Sequence, residues 1–132
     1  EVVIRTDEAA PSGYTNLVTV TTQAGTGRKI IAGTVFDGAP RIVRLRDLHV
    51  EFIPEGHVLV LSYEDRPGMV GKIGSILGRR NVNIASMHVG RRTKRGRAIV
   101  VLLLDEDVPP EVMEEVSKAV EADFARLIRL GA

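Results

Sequence analysis

"YEDRPGMVG", residues Tyr63–Gly71, decides how this chain folds. Ahead of it lies Val58-Leu-Val-Leu-Ser62, which continues into Tyr63 as an apolar strand. Behind it Met69, Val70, Ile73, Ile76 and Leu77 gather on one side at helical spacing, predicting a helix from Met69 to Arg80. Pro67 presets the turn and Gly68 frees the backbone after it. The stretch is a strand-to-helix junction.

Working outward, Val82–Val89 reads as a strand, Arg91–Gly96 as a basic hairpin loop, and Ala98–Leu104 as an apolar strand central in its sheet. Asp107-Val-Pro-Pro-Glu111 starts a second helix, with Asp107 as its cap and a proline in its first turn. Val112, Val116, Ala119 and Val120 form the apolar stripe of that helix, and Phe124–Leu130 is a last strand. The order from His57 onward is βαββαβ, the ferredoxin-like arrangement, with its first and third strands in the middle. The two remaining strands are edges, which invite pairing with a second copy. A homo-oligomer through these edges is expected.

Upstream the pattern is strands alone. Asn16–Thr22, Lys29–Phe36, Arg41–Arg46 and His49–Ile53 are separated by turn signals at Ala24–Gly27 and Asp37-Gly38. Within Arg41–Arg46 the pair Ile42-Val43 breaks strict alternation. Pro54-Glu-Gly56 marks the boundary. The expected fold is α+β, with an antiparallel β-rich segment over residues 1–55 and the βαββαβ domain over residues 56–132.

Composition narrows the function. The 132 residues are 44% hydrophobic and 27% charged, ordinary for a globular protein. No apolar run reaches membrane-spanning length and no basic start precedes an apolar core, so neither a membrane partner nor a signal peptide is expected. Zero Cys excludes disulfides, thiolate metal sites and Cys nucleophiles, and fits a cytoplasmic protein. The missing initiator Met suggests a piece of something longer. The net charge of +1 conceals a segregation: Arg66 to Arg97 holds basic residues and no acidic ones, whereas Asp105 to Asp123 is acidic except for Lys118. Either these are two solvated faces, or the basic one meets an anionic ligand or a complementary subunit.

Most chemistry-bearing motifs fail on inspection. Gly25-Thr-Gly27 lacks the third glycine and is followed by a strand, so it is no dinucleotide fingerprint. His49, His57 and His88 are dispersed without metal-ligand spacing. Ser62, Ser75 and Ser86 have no base beside them, and no catalytic residue is assigned. The Arg91–Arg97 loop would suit RNA, but Ala98–Leu104 displays no aromatic residue for stacking, so no nucleic-acid partner is expected.

The helix start offers more. Amides around Gly68, Met69 and Val70 lack intrahelical acceptors and suit a carboxylate. Asp65 suits an ammonium. Together they describe a free amino acid, although Asp65 could equally cap the helix. Gly71, Gly74 and Gly78 form a separate stripe, centred roughly 140° from the apolar side at about 100° per residue. They either tolerate solvent or admit a close ligand or subunit.

The run "YEDRPGMVGKIGSILGRRNVNIASMHVGR" resembles the ACT domain, a small regulatory module that binds amino acids. The preceding "AGTVFDGAPRIVRLRDLHVEFIPEGH" is similar to the stretch before that domain in bacterial D-3-phosphoglycerate dehydrogenases. The resemblance implies the end of an intervening domain plus a whole ACT domain, with NAD and the catalytic residues elsewhere in the parent chain. It implies L-serine as effector, held by Tyr63 and Asp65 just before Arg66-Pro67-Gly68 and by Asn83 from the partner subunit, and the expected effector site comprises Tyr63, Asp65, Arg66, Pro67, Gly68, Met69, Val70, Asn83 and Ile84. Some members carry His and Asn where this chain has Tyr63 and Asp65. A subunit of a serine-degrading enzyme and a free-standing amino-acid-responsive regulator are alternatives. A phosphorylated substrate held by Arg28, Lys29, Arg41 and Arg44 is a further one.

Overall fold

β-Branched residues between turn formers produce five strands in the first third of the chain: β1 (Val2–Asp7), β2 (Leu17–Ala24), β3 (Gly27–Phe36), β4 (Ala39–Leu45) and β5 (Leu48–Phe52). The computed structural model describes residues 1–7, 14 and 16–131. The five strands form one antiparallel meander in sequence order. Its buried apolar residues are Ala32, Val43, Leu48, Val50 and Phe52. The broken alternation at Ile42-Val43 is a register shift against β5 between Ile42 and Arg44, so the extra residue is a bulge. Strand β1 escapes the sequence reading, whose first strand begins at Asn16. It is an edge strand that buries little, with Ile4 67% exposed, and therefore leaves no core-facing pattern.

The second unit comprises β6 (Gly56–Glu64), α1 (Met69–Arg79), β7 (Ile84–Arg91), β8 (Arg97–Leu104), α2 (Pro110–Val120) and β9 (Phe124–Leu130). The chain divides between Pro54 and Glu55. All pairings are antiparallel and the order is β7-β8-β6-β9, so β6 and β8 are central as expected. Leu59, Leu61 and Tyr63 alternate along β6, and Val100, Leu102 and Leu104 along β8; both rows join one core with the helices. Helix α1 contributes Met69, Ile73, Ile76 and Leu77, and α2 contributes Val112, Val116 and Val120. Val70 does not join them: it is 51% exposed, at the margin of the apolar stripe.

The charge segregation is resolved inside the chain. Helices α1 and α2 lie side by side. Glu115 receives Arg79 and Arg80 at 3.2 and 3.1 Å, and Glu121 receives Arg66 at 2.9 Å. The basic and acidic segments are thus neighbours on one surface, each pair contributing at most about 1 kcal/mol.

One helix start differs from expectation, and at the other the capping alternative falls away. Asp107 does not cap α2, whose N-cap is Pro109 without a side-chain hydrogen bond. Prolines at 109 and 110 have no N–H to be capped, which moves the first free amides beyond the reach of Asp107. Its carboxylate instead accepts from Val108 N–H at 3.0 Å and pairs with Arg129 at 2.8 Å, and the Arg129 hydrogen bond holds its pKa below the usual value. Asp65 does not cap α1 either, because Gly68 is the N-cap. The strand expected to begin at Val82 begins at Ile84. Asn81 adopts a positive φ of 56° after α1, which turns the chain back toward the sheet.

Candidate functional site

The junction that opened the sequence reading builds one end of the βαββαβ unit. Strand β6 delivers Tyr63 facing the helices, then Glu64, then Asp65, whose N–H donates to Gly96 O at 2.9 Å. Gly68 has φ +89°, a conformation that L side chains rarely adopt, and an added Cβ would meet nothing within 4 Å. Backbone conformation, with no crowding, demands glycine there. The first bond across the helix start runs from Lys72 N–H to Gly68 O at 3.0 Å, and Met69 N–H reaches Arg66 O at 3.4 Å. Val70 and Gly71 N–H precede the first turn's acceptors and point out of the helix start.

Tyr63 is fully buried, yet its hydroxyl has no hydrogen-bond partner among the described residues. Burial, and then the nearby Asp65 carboxylate, push its pKa up to about 12, so the phenol is neutral at physiological pH. An unsatisfied buried hydroxyl costs about 1–3 kcal/mol. Asp65 is held by Arg91, with Nη1 2.6 Å from Oδ2. Arg91 reaches it because β7 ends opposite Ala98, which itself pairs with Tyr63. Sequence reading placed Arg91 only in a basic loop and missed this role; nothing in residue spacing joins 65 to 91 without the sheet register.

Arg66 turns away from this group. Its guanidinium pairs with Glu121 and lies 3.9 Å from Met69 Sδ, while Met69 is buried in the core. Pro67 supplies turn geometry alone. Asn83 and Ile84 lie at the other end of the sheet. Ile84 pairs with Leu104, whereas Tyr63 pairs with Ala98. Six residues of β8 separate the two ends, about 20 Å at strand rise. In one chain Asn83 therefore cannot share a ligand with Asp65. Its Nδ2 donates to Asp105 Oδ2 at 2.7 Å, and its N–H donates to Glu106 Oε2 at 2.7 Å.

The glycine stripe of α1 faces open space, since a Cβ at Gly71, Gly74 or Gly78 would meet nothing within 4 Å. No neighbouring backbone among the described residues requires these glycines. Gly68 and Gly71 line an open groove with Lys72, Ser75, Arg79 and Ala119. The cluster imagined for a phosphorylated ligand is not gathered. Arg41 pairs with Glu51 and stacks over Phe36, Arg44 Nε donates to Arg46 O, and five residues of β3 separate Lys29 from Thr34, the partner of Arg41. Among the described residues no group of acidic or histidine side chains could hold a metal ion. Among the described residues no helix is long and apolar enough to cross a membrane.

Residues 57–121 match the model of the ACT domain. This chain carries an ACT domain. Curated relatives extend the likeness upstream of it. A D-3-phosphoglycerate dehydrogenase of Archaeoglobus fulgidus is 37% identical over 107 residues, covering 80% of this chain and 20% of that protein. One from Synechocystis is 34% identical over 129 residues, 97% of this chain and 23% of that protein. One from Bacillus subtilis is 30% identical over 123 residues, 92% of this chain and 23% of that protein. The chain spans about a fifth to a quarter of the length of these relatives. Both the ACT domain and the β-rich unit before it have counterparts in these enzymes.

Proposed function

We propose that this chain is the amino-acid-sensing, C-terminal regulatory region of a D-3-phosphoglycerate dehydrogenase, without a catalytic step of its own, and that its effector is L-serine. The oxidoreductase activity in serine biosynthesis, and NAD, would belong to the catalytic part of the longer enzyme. One observation carries the reading: Tyr63 keeps a buried hydroxyl unpartnered beside Asp65, at the start of a helix with no side-chain cap, where the first-turn amides of Val70 and Gly71 precede any intrahelical acceptor. A zwitterion matches those groups. Its carboxylate takes the amides, its ammonium takes Asp65, and Tyr63 contributes the hydroxyl.

The remaining side chain comes from a second copy. Strand β7 is an edge, and antiparallel addition of β7 to β7 about a two-fold axis sets the Arg91 end of one strand beside the Ile84 end of the other. This brings Asn83 of one subunit to the Tyr63–Asp65 end of the other, removing the offset of about 20 Å along the strands (about six residues) that separates them in one chain. A ligand touching both copies favours the paired state, and regulation follows from that difference in affinity.

Calorimetric titration of the chain with L-serine tests the reading. Saturable binding, abolished by Asp65→Asn and by Asn83→Ala, is the expected result. Binding that survives Asn83→Ala would remove the shared site, and absence of any amino-acid binding would remove the function.

A further inference from the structure

We infer that Arg91 and Asp105 form an exchange relay: binding of an amino-acid zwitterion releases Arg91 from Asp65 and Asn83 from Asp105, and the two released groups then pair across the subunit boundary. The inference rests on the shared site proposed above. Both groups that the ligand needs are already engaged. Arg91 Nη1 sits 2.6 Å from Asp65 Oδ2, and Asn83 Nδ2 sits 2.7 Å from Asp105 Oδ2. An ammonium on the Asp65 carboxylate would stand within about 5 Å of the guanidinium, and like charges at that range oppose each other. Swinging the Asn83 side chain away from its own sheet toward a ligand on the other subunit breaks the Nδ2 contact with Asp105.

The groups left behind have opposite charge. Releasing Arg91 frees a guanidinium at the end of β7; releasing Asn83 frees a carboxylate immediately after β8. Within one chain these cannot meet. Arg91 pairs with Ala98 and Asp105 follows Leu104, so about 20 Å of strand lies between them. Antiparallel addition at β7 carries the partner's Asp105 to the Arg91 end together with the partner's Asn83, because Asp105 N–H is bonded to Asn83 O at 3.1 Å. Two contacts within subunits are traded for one ligand and one ion pair between subunits. The exchange makes the ligand-bound state more strongly dimeric than the ligand contacts alone would.

A double-mutant cycle on L-serine affinity tests this, using Arg91→Ala, Asp105→Ala and their combination, each checked for an unchanged fold by circular dichroism. Each single change removes one contact that binding must break and also the ion pair that binding forms. The combination loses that ion pair only once. It is expected to bind serine about two- to fivefold more tightly than the product of the single effects, the worth of an exposed ion pair. Residues so far apart in one chain are otherwise additive. Additive effects, with binding still abolished by Asp65→Asn and Asn83→Ala, would overturn the exchange and leave the shared site standing. Failure of the unaltered chain to bind any amino acid would overturn both.

Discussion

Replacing Tyr63 by Phe sets stability against sensing in a single atom. The hydroxyl is buried without a partner, so the ligand-free fold carries its desolvation cost. Removing it is expected to stabilise the unit by about 1 kcal/mol, the low end of the usual penalty for an unsatisfied group. For a unit of this size that raises Tm by about 4–8 °C. The same change removes one hydrogen bond to the ligand and should weaken L-serine binding about two- to tenfold. Differential scanning calorimetry with and without serine reads both effects. The pH profile supplies an independent arm. With a phenol pKa that rises from 10.0 to about 12 on folding, stability is independent of this group below pH 10 and falls as pH climbs toward 12, because the fold excludes the phenolate. The loss amounts to about 2–3 kcal/mol, and Tyr63→Phe should abolish it. A lower Tm for the variant would mean that the hydroxyl has a partner in the folded chain. An unchanged serine affinity would mean that it does not face the ligand.

Gly68→Ala should cost about 1–2 kcal/mol in urea denaturation, because φ +89° strains any side chain even where space is open. Ile73→Ala, which truncates a fully buried side chain between α1 and the sheet, should cost about 2–5 kcal/mol and broaden amide protection loss across the second unit in hydrogen exchange. Asn83→Ala should leave thermal stability within about 1 kcal/mol, since Asn83 is exposed, yet abolish serine-dependent dimerisation in sedimentation velocity.

Much of the second unit was legible because two periodicities meet at one turn. Leu59, Leu61 and Tyr63 alternate, Met69, Ile73 and Ile76 recur at helical spacing, and the Pro67-Gly68 pair separates them. Ala98–Leu104 announced a central strand because its residues are buried on both faces. Strand β1 was illegible for the opposite reason: its exposed apolar residues face no core that would select a pattern. Asp107 misled because its spacing to the helix suits a cap, while consecutive prolines remove the donors that it would cap. The charged segments read either as solvated faces or as a surface for a partner, and Arg66, Arg79 and Arg80 of the basic one pair with Glu115 and Glu121 of the acidic one.

The sequence by itself determined the order of elements in the second unit, the central places of β6 and β8, and the strand-to-helix junction at Pro67-Gly68. Those follow from spacing and backbone chemistry, which act over a few residues. Only the tertiary structure decided that Asp65 belongs to Arg91 and Asn83 to Asp105, and that Asp65 and Asn83 lie at opposite ends of one sheet. Strand register sets those pairings. It depends on contacts between residues far apart in the chain, and no local pattern encodes it.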